Sequence, residues 1–105
     1  MYFRLYLERS DMAKARNPGV GCKIIATITD MKGKCNAGHE IGDQFQLSCH
    51  NPDGLCGFFY NDIFPRLSVM QFGGRYPWWA EDQTTFEFEC PDKKNLVTLR
   101  LEIVE

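Results

Sequence analysis

The sequence predicts a single small domain of the α+β class, in which one proline-broken helix packs on four or five antiparallel strands. The chain has 105 residues, a length that suits one domain. Several segments alternate apolar and polar residues, as strands with one buried face do. One further segment repeats its apolar residues every three or four positions, which is typical of a helix.

Four segments carry the strand pattern. Residues 22–30 are rich in β-branched side chains, and residues 44–49, 84–90 and 96–104 alternate apolar with polar residues. Residues 2–7 alternate as well and are the candidate for a fifth strand. Since each segment has one apolar and one polar face, we expect an antiparallel sheet that is covered on one side only.

The predicted cover is a helix over residues 53–72. We expect Asn51 or Asp53 to cap its start and the Gly73-Gly74 pair to end it. Pro65 lies inside the helix, where it removes a backbone hydrogen bond and crowds the preceding turn, so we expect a kink or two short helices. The apolar stripe consists of Leu55, Phe59, Ile63, Leu67 and Met70.

Residues 1–20 are interpreted as an N-terminal extension or linker and residues 21–105 as the domain.

Composition, charge and cysteine count exclude several classes of protein. A formal net charge of −2 argues against a nucleic-acid binder, because such proteins need cations that replace counterions. No stretch is apolar enough for a membrane span or a signal peptide, so we expect a cytoplasmic protein with no membrane partner. The count of 5 cysteines is odd, which argues against a disulfide scaffold.

Cysteine and histidine form the densest candidate site. Cys35 and His39 share a glycine-containing loop, and zinc takes thiolate and imidazole ligands in sets of four. Cys56 begins the predicted helix and Cys90 ends a predicted strand, so all four side chains are expected at one end of the sheet. The set Cys35, His39, Cys56 and Cys90 is therefore a candidate zinc site. No Cys-x-x-Cys pair supports it, and free cysteines are also common as small core residues.

The same residues permit thiol chemistry. Cys35 or Cys56 would be the nucleophile and His39 the base, provided that they lie within hydrogen-bond reach of one another. The sequence alone does not establish those distances.

A second candidate site is an aromatic loop over residues 72–79. Its glycines allow close backbone approach and its rings offer flat surface for a ligand or a partner. Arg75 is suited to hold a carboxylate or a phosphate. The alternative is a lid that plugs one end of a small core. The loop consists of Phe72, Gly73, Gly74, Arg75, Tyr76, Pro77, Trp78 and Trp79.

From Cys22 onward, the chain resembles a family of small, uncharacterised bacterial and archaeal proteins. The matching pieces are Cys35-Asn36-Ala37-Gly38-His39 with Ile41-Gly42-Asp43, Pro52-Asp53-Gly54-Leu55-Cys56, Ile63-Phe64-Pro65, Gln71-Phe72-Gly73-Gly74 with Pro77-Trp78, and Cys90-Pro91-Asp92. The resemblance implies that these pieces are family features, but it carries no established activity. Gln71 stands where the family often has arginine, which argues against an anion-binding role at that position.

The leading prediction is a cytoplasmic binding module that takes a metal ion, with zinc as the candidate, or a small molecule. One alternative is a thiol-dependent enzyme that uses Cys35 or Cys56 with His39. The other is an interaction protein that docks through Trp78 and Trp79, with a homodimer as the candidate assembly.

Overall fold

Four strands pair into one antiparallel sheet, and one helix covers one of its faces. The computed structural model describes Ala13 and residues 15–104. The elements are β1 (Ile24–Met31), β2 (Gln44–Leu47), α1 (Gly57–Gln71), β3 (Thr85–Glu89) and β4 (Val97–Ile103). The strand order is β2-β1-β4-β3 and every pairing is antiparallel. The α+β prediction with four strands is confirmed, whereas the candidate fifth strand at residues 2–7 lies outside the described residues.

The core lies between the sheet and α1. One row across the sheet pairs Phe45 with Ala26, Ala26 with Leu101, and Leu101 with Phe86. All four side chains are buried on the face that α1 covers, as the period-2 alternation predicts. The helix contributes the predicted stripe to the same cluster, with Leu55 just before its start: Leu55, Phe59, Ile63, Leu67 and Met70.

The helix begins later than predicted, because the residues expected to cap it are used elsewhere. Asp53 has a φ of 53° in a tight turn, and its carboxylate accepts the backbone N–H of Gln46 on the edge strand β2 at 2.8 Å. Asn51 accepts the N–H of Asp53 at 2.8 Å. The residue at the N-cap is Cys56, and its side chain makes no capping hydrogen bond. The prediction that Asn51 or Asp53 caps the helix is therefore wrong.

The C-terminal end of α1 lies just before the Gly73-Gly74 pair, as predicted. Gly73 adopts a φ of 79°, its N–H donates to the carbonyl of Met70, and the N–H of Gly74 donates to that of Val69. Between its ends the helix is one element and not two short ones. Pro65 lies on an exposed position, where water can reach the carbonyl that its missing N–H leaves free. The kink at Pro65 stays a prediction.

The buried amide of Gln71 ties the segment before β1 to the domain. Its Nε2 donates to the carbonyl of Val20 at 2.9 Å, and its Oε1 accepts the N–H of Cys49 at 2.7 Å. The Asn51 side chain also donates to the carbonyl of Ala15 at 2.8 Å. Residues from 15 onward thus contact the domain, while most of the proposed extension lies outside the described residues. Within the described part of the chain, α1 is neither long nor apolar enough to cross a membrane.

Candidate functional site: a cavity lined by three thiols

Three of the five cysteines line one cavity of about 350 Å³. Cys35 reaches it from the loop after β1, Cys56 from the N-cap of α1, and Cys90 from the residue after β3. All three are free thiols and partly buried. The remaining lining residues are Asn36, Ala37, Phe58, Pro91, Asp92, Asn95 and Val97. This cavity is called the three-thiol cavity below.

Asn95 holds the Cys35 loop against the turn that carries Cys90. Its backbone carbonyl accepts the N–H groups of Lys32 and Gly33 at 3.1 and 3.0 Å. Its side-chain oxygen accepts the N–H of Lys34 at 3.1 Å. A Cβ at Gly33 would overlap that side-chain oxygen, so only glycine allows the approach. These contacts bring two sequence-distant thiols, Cys35 and Cys90, to one cavity.

Asp92 gives the cavity wall one negative charge. Hydrogen bonds from the Asn95 side chain (2.9 Å) and from the N–H groups of Asn95 and Lys94 stabilise its carboxylate. They lower the pKa of Asp92 below its ordinary value, with the Asn95 side chain as the largest cause. The backbone N–H of Asp92 also donates to the sulfur of Cys90 at 3.4 Å. The charge of Lys94 also contributes to lowering the pKa of Asp92, but no lysine or arginine lines the cavity in the described residues.

His39 acts on Cys56 through the backbone. Its Nε2 accepts the N–H of Cys56 at 3.0 Å, and its ring packs edge-on against Phe45 with centroids 5.0 Å apart. The lone pair of Nε2 is therefore engaged by this hydrogen bond. His39 lines a neighbouring shallow cavity with Cys35 and not the three-thiol cavity. Its Nε2 would take up a thiol proton or a metal ion only after losing the bond to Cys56.

The candidate zinc set is not assembled as a ready-made site. In the part of the chain that the structure describes, no group of three or more His, Cys, Asp or Glu residues is placed to hold a metal ion. The thiols of Cys35, Cys56 and Cys90 line one cavity, in keeping with the prediction that they converge. His39 lies beside this cavity, where its Nε2 accepts the N–H of Cys56. Zinc binding by these four residues stays a prediction.

The other two cysteines lie away from the three-thiol cavity. Burial raises the pKa of the Cys49 thiol, and a hydrogen bond with Ser68 partly offsets that increase. The N–H of Cys22 donates to the carbonyl of Gln71 at 2.7 Å, in the segment before β1. Cys22 and Cys49 are therefore natural controls for the three cavity thiols.

The aromatic loop divides into an inner and an outer part. Trp79 packs on the core with its ring 4.3 Å from that of Phe86. Trp78 is 75% exposed and stacks on Tyr76, with centroids 4.8 Å apart. The guanidinium of Arg75 donates to the carbonyls of Ala80 and Gln83. Trp79 therefore covers the core as a lid, whereas Trp78 is exposed on the surface. The hydrogen bonds of Arg75 go to residues that follow the loop and stabilise its conformation.

Sequence reasoning missed several residues of the site. Phe58 is 81% exposed beside the three-thiol cavity. It was missed because the apolar stripe in the sequence predicts only the opposite, buried face of α1. Asn95 was also missed, although Asp and Asn, as at positions 92 and 95, are residue types that are common in turns.

Searches of protein-family models, of curated proteins and of solved structures found no match to this chain. The resemblance to the small bacterial and archaeal family stays a prediction.

Proposed function

We propose that this chain is a binding module that holds a small, largely apolar molecule in the three-thiol cavity. The observation that supports it best is the convergence of Cys35, Cys56 and Cys90, which come from three distant segments, on one cavity. All three are free, partly buried thiols that pack against the hydrophobic core at this cavity.

The dimensions and lining of the cavity suit a small ligand. Its volume of about 350 Å³ falls within the range of roughly 300–1,000 Å³ that small-molecule sites occupy. Ala37, Pro91 and Val97 supply apolar wall, and the exposed ring of Phe58 lies at its edge. An isolated phenylalanine on the surface needs no explanation, but one beside an apolar cavity adds area for a ligand to bury.

The charge of Asp92 sets the preference among ligands. Its carboxylate is ionised at neutral pH, because its pKa is lowered from an ordinary value of 3.8 that is already far below 7. Lys94 lies near enough to act on this charge but does not line the cavity, so Asp92 is the charged residue of the described lining. The site therefore favours neutral or cationic molecules over anions.

A neutral fluorescent probe tests this proposal. N-phenyl-1-naphthylamine becomes brighter in apolar surroundings, and we expect the wild-type chain to increase its emission in a saturable way. Ala37→Trp fills the cavity and is expected to abolish most of that increase. Ala80→Trp is the matched control, because Ala80 is also an exposed loop alanine but lies outside the cavity.

The control is expected to bind the probe as the wild type does, with both variants melting near the wild-type temperature. Equal binding by the two variants, or no saturable binding by the wild type, would contradict the proposal. The zinc site, the docking role of Trp78 and Trp79, and the homodimer each stay predictions, because no contact in the described residues favours them over the cavity.

A further inference from the structure

We propose that the ligand of the three-thiol cavity is a small neutral or cationic disulfide, which the cavity thiols reduce by exchange. This inference rests on the proposed function and names the chemistry of its ligand. Cys56 makes the first attack, and Cys90 resolves the mixed disulfide.

The number of thiols points to disulfide exchange. Binding an apolar molecule requires no thiol, and capture of a carbon electrophile consumes only one. Reduction of a disulfide uses two thiols that can reach the same point, one to attack and one to resolve. In the described residues, the three-thiol cavity is lined by three free thiols, while Cys22 and Cys49 lie outside it.

The positions of Cys56 and Cys90 assign their roles. Cys56 lines the three-thiol cavity and also a more open neighbouring cavity of about 560 Å³ beside Phe58. It can therefore meet a disulfide that arrives from solvent. Cys90 lines the three-thiol cavity but not the more open one, and its sulfur accepts the N–H of Asp92. A thiol on the same cavity that is held in place by the backbone is suited to attack a sulfur already bound at Cys56.

The environment of Cys56 supports its role as the attacking thiol. It occupies the N-cap of a helix of 15 residues with no acidic residue in the first turn. The N–H groups of that turn create a positive end that favours negative charge. His39 fixes the N–H of Cys56 itself, so the residue is held at the cavity wall.

The exchange balances in two steps. The Cys56 thiolate attacks one sulfur of RS–SR, so a Cys56–SR bond forms, the S–S bond breaks, and RS⁻ leaves and takes a proton from solvent. The Cys90 thiolate then attacks the Cys56 sulfur, forming a Cys56–Cys90 disulfide and releasing the second RS⁻, which is also protonated. The protein is oxidised by two electrons and loses two hydrogens, while the external disulfide becomes two thiols.

The test compares two disulfides of opposite charge. The reduced full-length chain is mixed with cystamine, which is cationic, or with oxidised glutathione, which is anionic, and its mass is followed after acid quenching. We expect cystamine to react faster by roughly tenfold at low salt, because of the Asp92 charge. The product is expected to be lighter by two hydrogens and to return to the starting mass with dithiothreitol. Peptide mapping is expected to place the disulfide between Cys56 and Cys90.

Serine variants separate the two steps. Cys56→Ser is expected to lose the fast reaction, and Cys90→Ser to accumulate the mixed disulfide with one cysteamine attached. Cys22→Ser and Cys49→Ser are the matched controls and are expected to react as the wild type does. Unchanged reaction in Cys56→Ser, or an internal disulfide in Cys90→Ser formed at the wild-type rate, would overturn the proposal.

The Ala37→Trp variant distinguishes the two proposals. If the wild type binds the naphthylamine probe in the cavity but no cysteine exchanges with cystamine, the disulfide proposal fails and the binding proposal stands. If Cys56 exchanges with cystamine equally fast in the wild type and in Ala37→Trp, the disulfide does not bind in the three-thiol cavity and the disulfide proposal fails; the proposed function fails only if Ala37→Trp also leaves binding of the naphthylamine probe unchanged. Exchange that Ala37→Trp slows supports both.

Discussion

At the scale of single residues, Gln71 shows how much one amide contributes to this domain. It is the only polar residue of α1 that is buried, at 1% exposed, and both ends of its amide are engaged. The contacts connect three parts of the chain that no local pattern links: the segment at Val20, the end of α1, and the turn at Cys49.

Replacing this amide is expected to be costly. Gln71→Leu keeps most of the volume but leaves the N–H of Cys49 and the carbonyl of Val20 without their partner. We expect the free energy of unfolding to fall by about 1–3 kcal/mol, since a buried polar group without a partner costs that much. Urea denaturation measures it, with Gln46→Leu on the exposed side of β2 as the control. Equal denaturation midpoints for the two variants would show that the amide contacts are not important for stability.

At the scale of elements, the aromatic loop tests the distinction between a lid and a docking surface. Trp79 contacts the core and Trp78 does not, although the two are adjacent and chemically identical. We expect Trp79→Ala to lower the free energy of unfolding by about 2–4 kcal/mol, because it opens a cavity against Phe86. Trp78→Ala is expected to change it by less than about 0.5 kcal/mol. Thermal or urea unfolding of both variants decides this, and a larger effect of Trp78→Ala would refute the assignment of Trp79 as the lid.

Two glycines at the connections between elements should respond to alanine with opposite signs. Gly33→Ala pushes a methyl group into Asn95 and separates the Cys35 loop from the Cys90 turn, so we expect a loss of about 1–3 kcal/mol. Gly57 begins α1 with open space around it and with no positive φ. Gly57→Ala is expected to raise the free energy of unfolding by about 0.4–1 kcal/mol. Stabilisation by both substitutions would contradict the close approach at Gly33.

At the scale of the whole molecule, three titrating groups among the described residues have shifted pKa values, and we expect them to contribute to the dependence of stability on pH. The pKa of Asp92 is lowered in the fold from its model-compound value of 3.8. Its contribution is therefore fully present above that value and is lost as the pH falls through the lower pKa of the folded state. Burial raises the pKa of Cys49 from 9.0, and burial together with the charge of Cys49 raises that of Tyr60 from 10.0. Their contributions are present below those values and are lost as the pH rises through the higher pKa values of the folded state.

We expect a stability plateau that declines on both sides. Asp92→Asn is expected to flatten the acid decline, and Tyr60→Phe to reduce the alkaline one. Urea unfolding at about pH 3, 7 and 10 measures the effect. An acid decline of the same slope in Asp92→Asn would show that other carboxylates dominate it.

The sequence by itself determined which segments form strands, which face of each strand is buried, and which stripe of α1 meets the sheet. Those features follow from periodicity, which a linear pattern carries because a strand repeats every two residues and a helix every 3.6. It also singled out the cysteines at positions 35, 56 and 90 and the aromatic loop. The predicted start of α1 was wrong because of Asp53. Aspartate often caps helices, but here its carboxylate accepts the backbone N–H of Gln46 on the edge strand β2.

Only the tertiary structure decided what the chemistry-bearing residues do. It placed three thiols on one cavity and turned His39 toward a backbone N–H beside it. It also packed Trp79 against the core and left Trp78 exposed. Each of these outcomes depends on contacts between segments far apart in the chain, such as Asn95 against Gly33. Local pattern records how a segment folds on itself, whereas a site depends on the distances between segments, and those are fixed only when the sheet and the helix pack.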